Sequence, residues 1–203
     1  MGVRTKTINF FRKLLPNNQA SKLLTHWEKL YGEFDKNNYG EFSVDNLPSE
    51  SGFYHGEIIK WSADIKPESV LFVGENLKTA VALKEKMNAV EVYTTGLSDV
   101  DYLWNFEEDV PAIEKNFDLI ISQAILEHLL NPYKHFNDMN RLVNNRGHII
   151  IHSVMPGFNY HRYPIDAVRF FPDWFEEVSK RFKLKIVKKR IRDTHIFYMY
   201  QKI

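Results

Sequence analysis

Two short stretches hold most of the side chains able to do chemistry. The first is Glu127-His128, which follows the apolar run Leu119-Ile120-Ile121. An imidazole exchanges its proton near neutral pH, so His128 is a candidate general base, the alternative being a helix-capping or supporting role. The second is HSVMPGFNYHRYPIDAVRFFP, His152 to Pro172, which crowds His152, Tyr160, His161, Arg162, Tyr163, Asp166 and Arg169 together. A run so rich in hydrogen-bonding and aromatic groups is poor core material and reads as a substrate-binding surface. Arg169 can grip a carboxylate or phosphate with two parallel bonds. Its alternative is an internal pair with Asp166 at i, i+3 that only holds the loop. Eight histidines raise the question of metal. No HExxH motif is present, His148 and His152 fall on a strand pattern, and no carboxylate spacing singles out a ligand set, so no metal is expected.

The elements between these stretches explain how they are held. Phe117 to Gly157 carries two β-branched runs, Leu119–Ile121 and Ile149–Ile151, around an amphipathic segment. That is the pattern of a strand, a helix and a parallel strand. Asn131 caps and Pro132 starts the helix, Phe136, Met139, Leu142 and Val143 form its buried face, and Gly147 lies past its end, where positive φ is often needed. In an open parallel sheet, ligands sit beyond the carboxyl ends of the strands, here Ser122-Gln123-Ala124 and His152 to Met155. Upstream, Ser69 to Gly74 reads as a strand, Leu77 to Met87 as a helix and Ala89 to Thr94 as a strand. Downstream come a helix with Trp174, Phe175, Val178 and Phe182, then two strands, Lys183 to Arg192 and His195 to Ile203, in an antiparallel hairpin.

The ordered set Phe117-Asp118-Leu119-Ile120-Ile121, Ile125-Leu126-Glu127-His128-Leu129, Arg141-Leu142-Val143 and Gly147 to Ile151 resembles the second half of class I S-adenosylmethionine-dependent methyltransferases. The resemblance implies an α/β, Rossmann-like methyltransferase fold: a mostly parallel sheet with an antiparallel C-terminal hairpin and N-terminal helices. It implies S-adenosyl-L-methionine as cofactor. The cofactor would lie against Gly74, Glu75 and Asn76 after the first strand, Thr95 and Gly96 after the second, and Asn105, Phe106 and Glu107 at the adenine, with Gln123 and Ala124 at the fourth strand's end. The HRYP-D-RF-P run resembles a segment of methyltransferases associated with sugar or cell-surface polysaccharide pathways. That makes His161 the first choice of base, before His128, with Tyr160 and Arg162 positioning a small or sugar-type acceptor. Two departures stand out. Only Gly74 remains of the Gly-rich loop, and Thr94-Thr95-Gly96 replaces the usual ribose-binding acid, with Asp99 and Asp101 following. Losing a charge-assisted bond costs about 1.5–3 kcal/mol, which weakens cofactor binding without abolishing it. The crossover from Thr94 to Trp104 has no room for a full helix. The alternative reading is a methyltransferase-like module that has lost its cofactor and serves binding or assembly.

The chain has 203 residues and a net charge of +1 from 27 basic and 26 acidic side chains, so no global field calls for nucleic acid. It has no cysteine, which excludes disulfides and thiolate nucleophiles. No apolar run reaches the length of a membrane span, and a soluble, cytoplasmic protein is expected. Residues 1–60 read as an N-terminal extension of the 61–203 domain. Within it a basic amphipathic segment, residues 3–15, docks on its own domain or on a partner subunit, or makes weak membrane-surface contact. A helix is expected over 20–31, and a turn-rich loop over 35–56 that carries Tyr54 and His55. In the resemblance such a segment covers the cofactor, although ordinary packing is the favoured reading for those two residues. Basic residues from Lys180 to Arg192 read either as a patch for an anionic partner or as lysines guarding an edge strand.

Overall fold

The computed structural model describes residues 41–43, 53–162, 164–192 and 194–203. The expected segments 3–15 and 20–31, the side chain of Tyr54 and all of Tyr163 lie outside the described residues. The strands are β1 (Glu41–Ser43), β2 (Ser69–Val73), β3 (Glu91–Gly96), β4 (Tyr102–Leu103), β5 (Phe117–Gln123), β6 (Val143–Val154), β7 (Leu184–Arg192) and β8 (His195–Lys202). The helices are α1 (Phe53–Ala63), α2 (Leu77–Lys84), α3 (Pro132–Leu142) and α4 (Pro172–Arg181).

The strands form one sheet in the order β1-β7-β8-β6-β5-β2-β3-β4. Only β8 runs antiparallel to its neighbours, which gives the C-terminal hairpin. Alternate residues of each strand serve opposite cores. Val70, Phe72, Leu119, Ile121 and Ile150 pack with Ile58 and Trp61 of α1 and with Ala80 and Leu83 of α2. Leu71, Val73, Ile120, Ile149 and Ile151 pack with Phe136 and Met139 of α3 and with Phe175 and Val178 of α4. The result is three layers with helices on both faces.

Local signals explain most boundaries. Asn131 caps α3 by accepting from Lys134 N–H at 3.0 Å, and Pro132 occupies the first turn. Asn76 caps α2 the same way through Thr79 N–H at 2.9 Å. Gly147 differs from expectation. It lies inside β6, and Arg146 takes the positive φ, 65°. Glycine is required at 147 for closeness, since a Cβ there would stand 2.8 Å from Val143 Cγ2 and 2.9 Å from Asn144 O. The loop expected to run to residue 56 is already helical from Phe53. Burial of Ile58 and Trp61 overrides the turn signal of Gly56. The strand β7 is also not an edge, because β1 pairs with it in parallel. Much of its basic charge is spent inside the domain, with Lys188 on Asp64 at 2.6 Å, Lys189 on Glu176 at 3.0 Å and Arg190 on Glu57 at 2.5 Å. No crossover helix separates β3 from β4, as the short spacing predicts.

Candidate active site

The registers bring three strand ends to one edge, with Val73 opposite Ser122 and Gln123 opposite His152. Gly74 follows directly, takes φ +78° and donates its N–H to Thr95 O at 2.8 Å. A Cβ on Gly74 would stand 2.1 Å from Ile125 Cδ1 and 3.8 Å from Phe106 Cε2. Only glycine fits between those apolar side chains. Ala124 also takes positive φ, 52°, while its N–H donates to His152 O at 2.9 Å. That bend turns the chain into the short 3-10 segment Leu126–His128.

This segment points Glu127 into the protein, where it is 0% exposed. Its Oε2 accepts from Ser153 Oγ at 2.8 Å, and its Oε1 has no hydrogen-bond partner among the described residues. Burial pushes the Glu127 carboxyl pKa up, against the Ser153 hydrogen bond and the nearby imidazoles. The neighbouring His128 holds Ile165 O through Nδ1 at 2.5 Å. A carbonyl only accepts, so Nδ1 carries the proton and Nε2 is left as an acceptor. The His161 ring meets His128 edge-on with centroids 4.8 Å apart. One ligand atom from each of Glu127, His128 and His161 lies within 4.8 Å of the others. Sequence spacing singles out no such set, and the fold assembles it from two loops.

The loop carrying His161 is anchored from within. Asp166 accepts from His161 N–H at 2.8 Å and grips the Arg169 guanidinium with both carboxylate oxygens. Arg169 also donates to Val168 O at 2.9 Å and to Asn159 O at 3.3 Å. The hydrogen bonds from Arg169 hold the Asp166 carboxyl far below its ordinary range. Arg169 and Asp166 are therefore partners of each other, and the expected grip on a substrate anion is replaced by the internal pair. His152 is corrected in the same way. It is 1% exposed, its Nε2 lies 2.9 Å from His195 Nδ1, and its ring stacks on Phe197 in the core. Burial pushes its pKa well down, so it stays neutral. Tyr160 is 74% exposed on the same loop, and Arg162 donates through Nε to Pro164 O at 2.8 Å.

The residues expected at the cofactor fall into two groups. Gly74, Glu75, Gln123 and Ala124 meet at the strand ends. His55 joins them, because its Nε2 lies 3.1 Å from Gln123 Nε2 and 3.4 Å from Glu75 Oε2. The sequence favours ordinary packing for His55, and the structure instead sets it at the mouth. Burial raises the Glu75 carboxyl, but hydrogen bonds from His55 and from the Asn76 backbone outweigh that and leave it below its ordinary value. The second group is engaged elsewhere. Asn76 is spent as a helix cap. Asn105 accepts from Glu107 N–H at 3.2 Å and donates to Glu108 at 3.0 Å. Glu107 accepts from Leu130 N–H at 2.5 Å, which ties this loop to the start of α3. Gly96 accepts from Trp104 N–H at 2.8 Å, while Thr95 Oγ1 is buried without a hydrogen-bond partner among the described residues. Phe106 packs on Trp104 and His135 with its edge toward Gly74. Ile125, Ser153 and Ile165 were not legible as site residues, since hydrophobic and small side chains carry no chemical signal of their own.

Residues 63–151 match the family model described as a methyltransferase domain. That part of the chain is similar to a methyltransferase domain. The match runs from the end of α1 through β6 and so includes Gly74, Glu127 and His128. No curated protein matches the sequence. Among solved structures, the CcbJ methyltransferase from Streptomyces caelestis is similar with a TM-score of 0.60 at 12% identity, over 78% of this chain and 100% of that one. The N-methyltransferase NodS from Bradyrhizobium japonicum, in complex with S-adenosyl-L-homocysteine, aligns with a TM-score of 0.56 at 13% identity, over 91% of this chain and 99% of that one. An O-methyltransferase family protein from Burkholderia thailandensis aligns with a TM-score of 0.58 at 10% identity, over 73% of this chain and 56% of that one. At such identities the likeness is one of fold. The fold is that of the class I methyltransferases, with a Rossmann-like sheet and the C-terminal hairpin expected from the sequence. No described helix is long and apolar enough to cross a membrane.

Proposed function

We propose that the domain transfers a methyl group from S-adenosyl-L-methionine to an oxygen or nitrogen of a small or sugar-type acceptor. The turn at Gly74 carries this reading. It lies where the chain leaves β2 toward β3 on one side, while β5 pairs on the other, the switch point at which open α/β sheets bind ligands. The residues there fit a nucleoside cofactor. Gly74 lets Ile125 pack close against the turn, Phe106 and Ile125 offer apolar faces to a purine, and Glu75 and the buried Thr95 hydroxyl offer polar contacts.

When bound, the cofactor supplies an electrophilic methyl group open to in-line displacement. The chain's own residues align the acceptor and take its proton. His128 Nε2 is oriented for that by the Ile165 carbonyl on Nδ1. The Glu127 carboxyl and the His161 imidazole each present an atom within 4.8 Å of a His128 ring nitrogen, and His161 stands ready as a second imidazole. Tyr160 and Arg162 belong to the loop over which the acceptor enters, and the polar, exposed character of Tyr160 suits a sugar.

A second reading, a binding or assembly module without cofactor, is favoured by one observation. Asp101, an acid close after β3, is spent on Thr94 and leaves the ribose without that carboxylate. Incubation with isotopically methyl-labelled S-adenosylmethionine and a panel of sugars and amines separates the two. The enzyme reading expects label in one acceptor class and its loss in His128→Ala. Absence of label across the panel, with no S-adenosylhomocysteine released, contradicts it.

A further inference from the structure

We infer that Glu127, His128 and His161 form a binding site for a divalent transition-metal ion. Their ligand atoms converge within 4.8 Å of one another, from the turn after β5 and the loop after β6. Ligands each about 2.1 Å from one tetrahedral ion lie about 3.4 Å apart, so the three have to close by at most about 1.4 Å. The His161 side chain, 37% exposed on its loop, has the freedom to do so and opens the site to solvent.

Each residue is prepared for the role. Glu127 is fully buried with Oε1 lacking a hydrogen-bond partner among the described residues, while Ser153 holds its other oxygen. A buried carboxyl with one idle oxygen is costly, and a cation that displaces its proton is a partner that answers it. His128 donates from Nδ1 to Ile165 O, which fixes the ring and presents Nε2. Asp166 holds the His161 backbone N–H at 2.8 Å, while its Oδ2 stands 3.6 Å from His161 Nδ1, beyond hydrogen-bond reach. A backbone carbonyl in the position of Ile165 O is what orients a ligating histidine. Arg169 in turn fixes Asp166, so the outer support is rigid.

Two imidazoles and one carboxylate suit zinc, iron, cobalt or nickel better than magnesium, which prefers oxygen ligands alone. Three protein ligands leave coordination positions open, as in catalytic rather than structural sites. An acceptor hydroxyl could then be activated as a ligand of the ion instead of by imidazole. That last step rests on the methyl-transfer reading, whereas the metal site itself does not.

The test is calorimetric titration of the chelator-stripped full chain with Zn2+ alone and with Mg2+ alone, repeated with His161→Ala and His128→Ala. Co2+ absorption serves as a spectroscopic readout of coordination. The site predicts one equivalent of Zn2+, weak or no Mg2+ binding, and visible Co2+ bands. It also predicts affinity weakened at least ~10-fold in each variant, since even outer-shell changes cost that much. Circular dichroism of the variants establishes that they are folded, and His161→Ala, on the loop, is the milder of the two. No stoichiometric Zn2+, or Zn2+ affinity unchanged in both variants, overturns the proposal. S-adenosylhomocysteine titrated into the same samples keeps the two claims apart. Cofactor binding without metal sinks only the ion, and metal without cofactor sinks only methyl transfer.

Discussion

Thr94 and Asp101 close the turn between β3 and β4 on themselves. Asp101 Oδ2 accepts from Thr94 N–H at 2.8 Å and from its hydroxyl at 3.0 Å, and Asp101 N–H donates back to that hydroxyl at 3.2 Å. The carboxylate thus replaces the missing crossover helix as the device that returns the chain. Asp101→Ala leaves Thr94, which is fully buried, with an unsatisfied N–H and a hydroxyl proton without its acceptor, while the backbone N–H at 101 still reaches that hydroxyl. The expected loss is about 1.5–3 kcal/mol of stability, read by urea denaturation. A change below a few tenths of a kcal/mol would show that the turn is held by something else.

Gly74 and Ile125 form a second coupled pair. Gly74→Ala meets two penalties, a positive φ and a Cβ 2.1 Å from Ile125 Cδ1. Truncation in Ile125→Ala removes the second penalty but not the first. Gly74→Ala is therefore expected to cost more stability in the wild-type background than in Ile125→Ala, where about 1 kcal/mol remains from the backbone. A double-mutant cycle measures the difference. Additive single effects would mean that the contact is not felt.

The Asp166–Arg169 pair should hold the loop and not a substrate. Arg169→Lys keeps the charge but loses the two-oxygen grip and the bonds to Val168 and Asn159. Faster proteolytic cutting within residues 155–171 is expected, along with a stability loss of about 1.5–3 kcal/mol. An intact loop with selectively impaired acceptor binding would instead restore Arg169 to the substrate.

Acid sensitivity should trace in part to His135. It is fully buried between Trp104 and Phe106, and neither ring nitrogen has a hydrogen-bond partner among the described residues. Burial pushes its pKa down to about 3. The unfolded chain takes up this proton near pH 6.5, the folded one does not. The contribution of neutral His135 is complete above that pH and declines as pH falls toward about 3, by about 1.4 kcal/mol per pH unit. His152 and His195, the latter pushed by burial to about 4, act in the same direction. His135→Leu should thus shed one proton from the acid limb of the stability profile without flattening it. At pH 7 it should leave stability unchanged or raised, because two unpaired buried nitrogens disappear.

The layered sheet was legible because its signals are local and repeated. Leu119–Ile121 and Ile149–Ile151 read as buried strands, and Asn131-Pro132 as a helix start, from neighbours in sequence alone. The hairpin followed from its alternation and length. The site was less legible, because its partners are distant in the chain. Nothing near Glu127 announces Ser153, and nothing near His128 announces the Ile165 carbonyl. Polar residues of the His152–Pro172 run were read as one surface. The sheet instead sends His152 into the core against His195, and the loop turns Asp166 and Arg169 upon each other. His55 was undervalued since α1 was not recognised, its Gly56 reading as a turn former until Ile58 and Trp61 are seen buried.

The most direct test of methyl transfer is calorimetric titration of the full chain with S-adenosylhomocysteine, beside Gly74→Ala. The account predicts one site with affinity in the micromolar range, about −8 kcal/mol, sharply weakened in the folded variant. No heat and no thermal shift at millimolar ligand would contradict it, and would leave the domain as a binding module built on a methyltransferase fold.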